Sequence, residues 1–179
     1  MRGTGEHEQR WNFAARWIPG IPVDRAEVRL TGTYKFIQGL YLGLEYNPLA
    51  DDLGLLGNWR LMDETKHRPM LMVGTSSDRI GTPTGRAYYG TFAKDLASLV
   101  NVPIAPYIGT AYSEWDDKFN LIGGLGIRWR RDLISTHSYD GYNLHHMLDH
   151  YWESDYRFGV VLAQQGADYY GGISVGVGL

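Results

Sequence analysis

The sequence contains no cysteine, which excludes disulfide frameworks and thiolate metal sites. It also lacks a basic excess, because 17 Lys and Arg stand against 20 Asp and Glu, for a formal net charge of −3. A protein that binds nucleic acid carries a basic excess on one face, so we expect no nucleic-acid partner. We likewise expect no metal and no cofactor.

Long apolar runs are absent too, and none approaches the roughly 18 to 20 residues of a membrane helix. This absence does not exclude a membrane β-barrel, because its strands cross a membrane with alternating apolar and polar residues. The first eight residues lack the apolar core of a signal peptide. We interpret the sequence as a processed chain or one with an incomplete start, and we expect residues 1–9 to form a flexible segment before a single domain over residues 10–179.

Glycine and aromatic residues are abundant, with 23 Gly, 6 Trp, 13 Tyr and 5 Phe among 179 residues. The clearest pattern runs from Phe119 to Trp129, where one face is apolar with an aromatic residue at each end and the other face is small or charged. A period of two indicates a β-strand. About eleven residues are enough for a tilted strand to cross a hydrocarbon layer.

The same alternation recurs along the chain. Its strong segments are residues 11–17, 26–36, 40–46, 119–129, 156–163 and 173–179, and its weaker ones are 57–62, 70–76, 86–93, 105–113, 133–139 and 144–151. The one helical candidate is residues 92–100. We predict an all-β fold: a closed, antiparallel, up-and-down transmembrane β-barrel of about 12 strands, with about 8 to 12 compatible with the pattern.

The predicted connections differ in length. Residues 38–39, 131–132 and 153–155 form short turns, whereas residues 19–25, 47–56 and 77–85 form longer links. Short turns at one end and longer loops at the other are typical of outer-membrane barrels. We therefore expect both termini at the short-turn end, where residues 10–17 pair with residues 173–179 and close the barrel.

Alternation alone does not say whether the apolar face meets lipid or a core. Aromatic residues at the ends of apolar faces favour lipid, because they match the girdles at membrane interfaces. These residues are Trp11, Trp17, Tyr34, Tyr46, Trp129 and Tyr156. The predicted lipid-facing residues are Val28, Leu30, Leu42, Leu121, Leu125, Ile127 and Val175.

With these features the chain resembles small bacterial outer-membrane β-barrel proteins over Arg10 to Leu179. The resemblance rests on the alternation, the aromatic girdles and the final strand from Tyr169, and not on a sharp motif. It implies a location in the bacterial outer membrane. It also implies membrane lipid or lipopolysaccharide as a partner, with other envelope proteins as further candidates and the oligomeric state open.

Charged residues fall on the polar face and predict an arginine-rich lumen. The predicted lumen residues are Arg10, Arg16, Glu27, Arg29, Lys35, Glu45, Arg60, Arg128, Arg130 and Arg157. Charges inside a barrel are paired or wet, so the lumen is either a plug of salt-bridged side chains or a narrow pore that favours anions. We expect the two glutamates to neutralise part of the basic wall.

Four of the six histidines lie between residues 137 and 150. Ser135 and His137 share one strand face, which would suit the nucleophile and base of a lipid hydrolase or deacylase. A metal site at His146 and His150 is poorly supported, because Asp149 faces away from both in a strand. The simplest interpretation is that the histidines are polar residues of the rim or lumen.

These observations favour a non-enzymatic outer-membrane barrel that serves as a small pore or a structural component. Two alternatives stay open. One is the lipid hydrolase with Ser135 and His137, so enzymatic activity is not decided; the other is a soluble ligand-binding barrel.

Overall fold

The computed structural model describes residues 9–153 and 155–179, and within them the chain forms twelve β-strands. The strands are β1 (Trp11–Trp17), β2 (Val28–Ile37), β3 (Leu40–Asn47), β4 (Asp52–Met62), β5 (Met70–Ser77), β6 (Arg86–Ala93), β7 (Ile104–Ser113), β8 (Lys118–Arg128), β9 (Leu133–Tyr139), β10 (Leu144–Trp152), β11 (Tyr156–Gln165) and β12 (Asp168–Gly178). The helical segments are α1 (Asp24–Glu27), a 3-10 turn (Pro48–Ala50) and α2 (Ala97–Val100). No helix in this part of the chain is long and apolar enough to cross a membrane.

All twelve strands join into one closed barrel. Each strand pairs antiparallel with the next in sequence, and β1 pairs with β12 through Asn12 opposite Gly178 and Trp17 opposite Ile173. Closure removes the exposed strand edges that an open sheet would present. The predicted fold class, strand number and closing pair are therefore confirmed.

Several strand bounds differ from the prediction; β12, for example, begins at Asp168 and not at residue 173. β4 begins at Asp52, inside a predicted loop, because Asn47 pairs with Asp52 across a tight turn in which Asp51 takes a left-handed backbone with φ of 47°. The helix predicted at residues 92–100 is wrong over its first part, since Phe92 pairs with both β5 and β7 and the helix is confined to α2.

The outer and inner faces of the barrel wall differ in exposure. Phe119 and Leu121 of β8 are 74% and 61% exposed on the outer surface, whereas Glu45 of β3 is wholly buried inside. Directly paired residues of neighbouring strands share a side, so the register extends this outer face around the barrel. The outer face includes Val28, Leu30, Leu42, Leu121, Leu125, Ile127 and Val175. A soluble barrel would hold these side chains in its lumen, so that alternative is not supported.

β1 begins and β12 ends at the same end of the barrel, which we call the terminus end; the opposite end is the mouth. Residues 38–39, 63–69, 94–103, 129–132 and 153–155 connect strands at the terminus end. Residues 18–27, 48–51, 78–85, 114–117, 140–143 and 166–167 connect them at the mouth. Short connections are expected at the terminus end, and this expectation is wrong for residues 63–69 and 94–103, which are long. These two connections contact each other through an ion pair, with Lys94 Nζ 3.2 Å from Glu64 Oε1.

Buried apolar side chains gather at the mouth. Residues 18–27, which connect β1 to β2, enter the barrel at the mouth. Their apolar side chains pack against Val161 and Ala163 on the inner side of β11. The cluster is Ile18, Ile21, Ala26, Val161 and Ala163, with Val23, Ile80, Met147 and Tyr170 beside it.

Candidate functional site

The inner wall near the mouth is organised around the buried carboxylate of Glu45. It accepts hydrogen bonds from Arg29 Nε at 3.0 Å, from Arg86 Nη1 at 3.2 Å and from the backbone N–H of Ser77 at 2.6 Å. Arg86 reaches the carboxylate across Gly54, where any Cβ would collide with its guanidinium. A buried carboxylate is stable only when it is paired and hydrogen-bonded, and two guanidinium groups meet that requirement.

Two mouth connections fold into the lumen. We call residues 18–27 the first loop and residues 78–85 the third loop. The third loop crosses the mouth as far as β11, because a Cβ on Gly81 would collide with Gln165. The first loop carries the apolar cluster on β11, so the two loops together narrow this end of the barrel.

Arg25 joins the first loop to the third. Its Nη1 donates to the carbonyl oxygen of Gly85 at 2.7 Å, and its Nη2 donates to Oγ1 of Thr82. The side chain is 4% exposed, and Oδ2 of Asp52 lies 3.8 Å from Nη1. Because one guanidinium bonds both a backbone and a side-chain acceptor of the third loop, Arg25 fixes the two loops to each other.

Arg79 ties the third loop to the neighbouring connections. Its Nη1 and Nη2 donate to Asp116 at 2.5 and 3.2 Å in a bidentate pair, and its guanidinium carbon lies 3.8 Å from the ring centre of Tyr142. The hydrogen bond from Arg79 lowers the pKa of the Asp116 carboxyl. Asp78 completes the arrangement, since its Oδ2 accepts from the hydroxyl of Ser113 at 2.5 Å.

A cavity of about 430 Å³ lies between these loops and the barrel wall. One group of lining residues is basic and comes from β1, β2 and the two loops; a second group is aromatic and polar and comes from β6 to β9. The first group is Arg16, Arg25, Arg29 and Arg79, and the second is Tyr89, Tyr107, Asn120 and Ser138. The carboxylates of Asp78 and Asp140 also line the cavity.

Arg16 differs from the other arginines of the cavity. It lies directly opposite Arg29 in the β1–β2 register, and its Nη2 donates only a long bond of 3.4 Å to the carbonyl oxygen of Ala26. Its Nε is buried without a hydrogen-bond partner in the part of the chain that the structure describes. Among those residues no carboxylate lies within 4.0 Å of its guanidinium, so its positive charge is not neutralised by an ion pair.

Two tyrosines of the cavity stand over glycines of the neighbouring strand. A Cβ on Gly74 would lie 2.6 Å from the ring of Tyr89, and a Cβ on Gly124 would lie 2.5 Å from the ring of Tyr107. Each glycine therefore leaves the space in which a ring lies along the inner wall.

Several of the predicted lumen residues lie toward the terminus end. Arg60 and Arg157 each lie near a carboxylate, with Arg60 Nε 2.8 Å from Asp63 and Arg157 Nε 3.9 Å from Asp149. The inner phase of the register also holds Lys35 and Arg128.

Three of the predicted lumen residues lie outside the strands. Arg10 is exposed and precedes β1, and Glu27 ends α1 in the first loop. Arg130 lies in the turn after β8, where its side chain is 64% exposed and its Nε is 3.5 Å from Asp132. All three lie beyond the strand ends, where alternation no longer assigns a side, so their place in the lumen stays a prediction. The predicted flexible segment falls on residues 1–9, of which residues 1–8 lie outside the described part, and Gln9 donates to Asp155 at 2.7 Å.

The histidines divide between the two faces of the wall. His145 and Asp149 are buried on the inner side, and His145 Nε2 lies 2.8 Å from Asp140 Oδ2. His137 and His146 lie on the outer side. Within residues 9–153 and 155–179, no group of three His, Asp or Glu side chains could hold a metal ion.

Ser135 and His137 share the outer face of β9, as the hydrolase alternative requires, but each bonds to another residue. Oγ of Ser135 accepts from Nε1 of Trp129 at 2.9 Å, and Nδ1 of His137 lies 2.8 Å from Nδ1 of His146. Ser135 is also only 5% exposed, so its hydroxyl is not open to a substrate. The geometry therefore does not favour the hydrolase.

The residues that organise the mouth are not among those that the sequence predicts for the lumen. They are Arg25, Asp78, Arg79, Arg86 and Asp116, which lie in connections or at a strand end. Alternation assigns a side only within a strand. The one signal present was a pair of opposite charges, Asp78 and Arg79, inside a connection rich in glycine and proline.

No protein-family model matches the sequence, and no curated protein matches it. Solved structures do match the fold. A KdgM porin in complex with disordered oligogalacturonate has a TM-score of 0.64 and 10% identity, and a second KdgM porin structure has 0.64 and 11%. A NanC porin structure has a TM-score of 0.56 and 12% identity. Each match covers 94% of this chain and 98% of the other. The likeness shows the fold: the chain has a closed barrel of twelve strands similar to that of these porins.

Proposed function

We propose that the protein spans a bacterial outer membrane and serves as a narrow pore for small acidic solutes. The apolar outer wall supports the membrane placement, because aromatic side chains border it near both ends. Toward the terminus end they include Trp11, Trp129 and Tyr156, and toward the mouth they include Trp17, Tyr46 and Tyr139. Bands of this kind are typical of barrels in lipid.

The positive charge of Arg16 is the observation that carries the proposed anion preference. The other mouth arginines lie beside carboxylates: Arg25 lies beside Asp52, Arg29 and Arg86 lie beside Glu45, and Arg79 lies beside Asp78 and Asp116. Arg16 adds a charge to the same space without such a neighbour among the described residues. An uncompensated cation in a confined space raises the local concentration of anions and opposes the entry of cations.

A carboxylated sugar suits the two sides of the cavity. Arginine binds carboxylates through its planar fork, and the tyrosine, asparagine and serine side chains opposite can bind hydroxyl groups. The cavity of about 430 Å³ lies within the range of small-molecule sites. The KdgM porin structure, whose ligand is an oligomer of a carboxylated sugar, supports the same solute class.

Uptake of a matched pair of sugars into proteoliposomes tests the proposal. Galacturonate and galactose differ in a carboxylate, so the ratio of their uptake rates reports the effect of charge. We expect the wild-type protein to favour galacturonate. Arg16→Ala should lower the ratio by about fivefold, because a charge pair 4 Å apart in water is worth about 1 kcal/mol.

Arg130→Ala is the matched control. It removes the same charge from an exposed turn at the terminus end, away from the cavity, and should leave the ratio unchanged. Equal uptake of both sugars by the wild-type protein would contradict the anion preference, and uptake of neither would contradict the pore.

A further inference from the structure

The outer wall carries a polar pair where its neighbours are apolar. Leu125 of β8, His137 of β9, His146 of β10 and Leu162 of β11 form one row across four paired strands. The central two residues of this row are imidazoles, and both are partly exposed. Ionisable residues on a membrane-spanning segment are rare outside a protected environment, so this row marks a candidate contact site.

The two rings already bond to each other. Nδ1 of His137 lies 2.8 Å from Nδ1 of His146, and the ring centres are 5.0 Å apart in an edge-on arrangement. In a neutral pair one Nδ1 donates and the other accepts. The donating ring then has an accepting Nε2, and the accepting ring has an Nε2–H that donates. The pair therefore offers one donor and one acceptor, whichever ring holds which tautomer.

This combination is complementary to itself. If a second barrel meets the first across a two-fold axis through the row, the donor of each pair faces the acceptor of the other. An acyl chain offers neither a donor nor an acceptor. Leu144, Leu148 and Leu162 surround the pair with apolar side chains that can pack against the same residues of the second copy.

We propose that His137 and His146 form the centre of a contact between two copies of this chain, in which each copy supplies one hydrogen-bond donor and one acceptor. This site lies on the outer wall and is separate from the lumen. It rests on the proposed function only in that the outer wall must face a membrane.

Cross-linking in lipid vesicles tests the contact, and the absence of cysteine from the chain makes single labels clean. Leu144→Cys places a thiol on the outer face of β10 at the mouth, next to the pair. Tyr46→Cys places one at the mouth on β3, away from it; the two native side chains are 44% and 38% exposed. With a short bismaleimide, Leu144→Cys should form dimers about tenfold faster than Tyr46→Cys, a preference of about 1.4 kcal/mol.

Replacing the pair in the same background isolates its contribution. His137→Leu with His146→Leu should bring the Leu144→Cys rate down to that of Tyr46→Cys. Equal rates for the two cysteine variants, or no effect of the double replacement, would overturn the proposal. Loss of the dimer on adding a chelator would also overturn it, because a metal would then replace the direct hydrogen bonds.

Two controls separate the possible failures. Far-ultraviolet circular dichroism shows that each variant keeps its β-structure. Protection of the strands from a water-soluble protease in vesicles reports membrane insertion. A barrel that does not insert contradicts the proposed function, whereas an inserted barrel with no preferred face contradicts the contact alone.

Discussion

The two ends of the barrel use arginine in opposite ways. At the mouth, Arg25 is 4% exposed and bonds the third loop inside the lumen. At the terminus end, the Arg130 side chain is 64% exposed and faces Asp132 across a turn. Connection length does not explain the contrast, because residues 94–103 are as numerous as the first loop yet include Leu99, which is 68% exposed. In this barrel, a connection folds into the lumen when its charged side chains have buried hydrogen-bond acceptors there.

The largest expected difference between the ends concerns the free energy of unfolding. Glu45→Gln would leave Arg29 and Arg86 around a neutral group, and losing one partner of a buried ion pair costs roughly 3–5 kcal/mol. Asp132→Asn at the terminus end removes a carboxylate from an exposed pair and should cost at most about 1 kcal/mol. Urea unfolding in detergent micelles measures both. Similar losses in the free energy of unfolding for Glu45→Gln and Asp132→Asn would contradict the distinction between the two ends.

A more local effect, confined to the mouth, is expected from releasing the first loop. Arg25→Ala removes bonds to Gly85 and Thr82, and each hydrogen bond to a charged group is worth roughly 1.5–3 kcal/mol. The first loop should then leave the mouth more often. A thiol introduced by Ile21→Cys should react faster with a water-soluble maleimide, and single-channel conductance should rise.

Arg68→Ala is the control at the terminus end. Arg68 is exposed and donates at 3.3 Å to the carbonyl oxygen of Asp63, so its loss should change neither the reaction rate nor the conductance. If Arg25→Ala and Arg68→Ala raise the reaction rate of the Ile21→Cys thiol equally, Arg25 does not hold the first loop in the mouth.

The smallest expected effect is a response of the third loop to acid. Arg79 lowers the pKa of Asp116, so the stability from this pair is complete above the ordinary pKa of an aspartate. It is lost as the pH falls through the lowered pKa. Amide hydrogen exchange in residues 78–85, corrected for the intrinsic effect of pH, should then quicken severalfold.

Asp116→Asn sharpens this test, because it removes the carboxylate at every pH. It should show at neutral pH the fast exchange that the wild-type protein shows only in acid. An acid response that persists unchanged in Asp116→Asn would assign the effect to another group.

The barrel could be predicted from sequence because strand alternation is a local property. Phe119, Leu121 and Leu125 alternate with small and polar residues, and this period alone places them on one face. Prediction weakened at strand ends. Arg130 continues the polar phase of β8 in sequence, but the strand ends at Arg128 and the chain turns.

The mouth could not be predicted in the same way. Glu45 was placed in the lumen by alternation, but its partner Arg86 approaches from β6, more than forty residues away in sequence. Arg25 and Arg79 belong to connections that have no period, so only the folded arrangement shows that they point inward. The likeness to porins shows the fold. It does not show these ion pairs, which come from side chains of this chain.

The zero-current potential of the wild-type protein in a planar bilayer tests the central claim most directly. If Arg16 makes the lumen anion-favouring, as proposed, chloride crosses faster than potassium when KCl is concentrated on one side. The dilute side should therefore become negative, and the potential should shrink when both solutions are made more concentrated, as screening requires. A dilute side that becomes positive, or no potential at all, would contradict an anion-favouring pore.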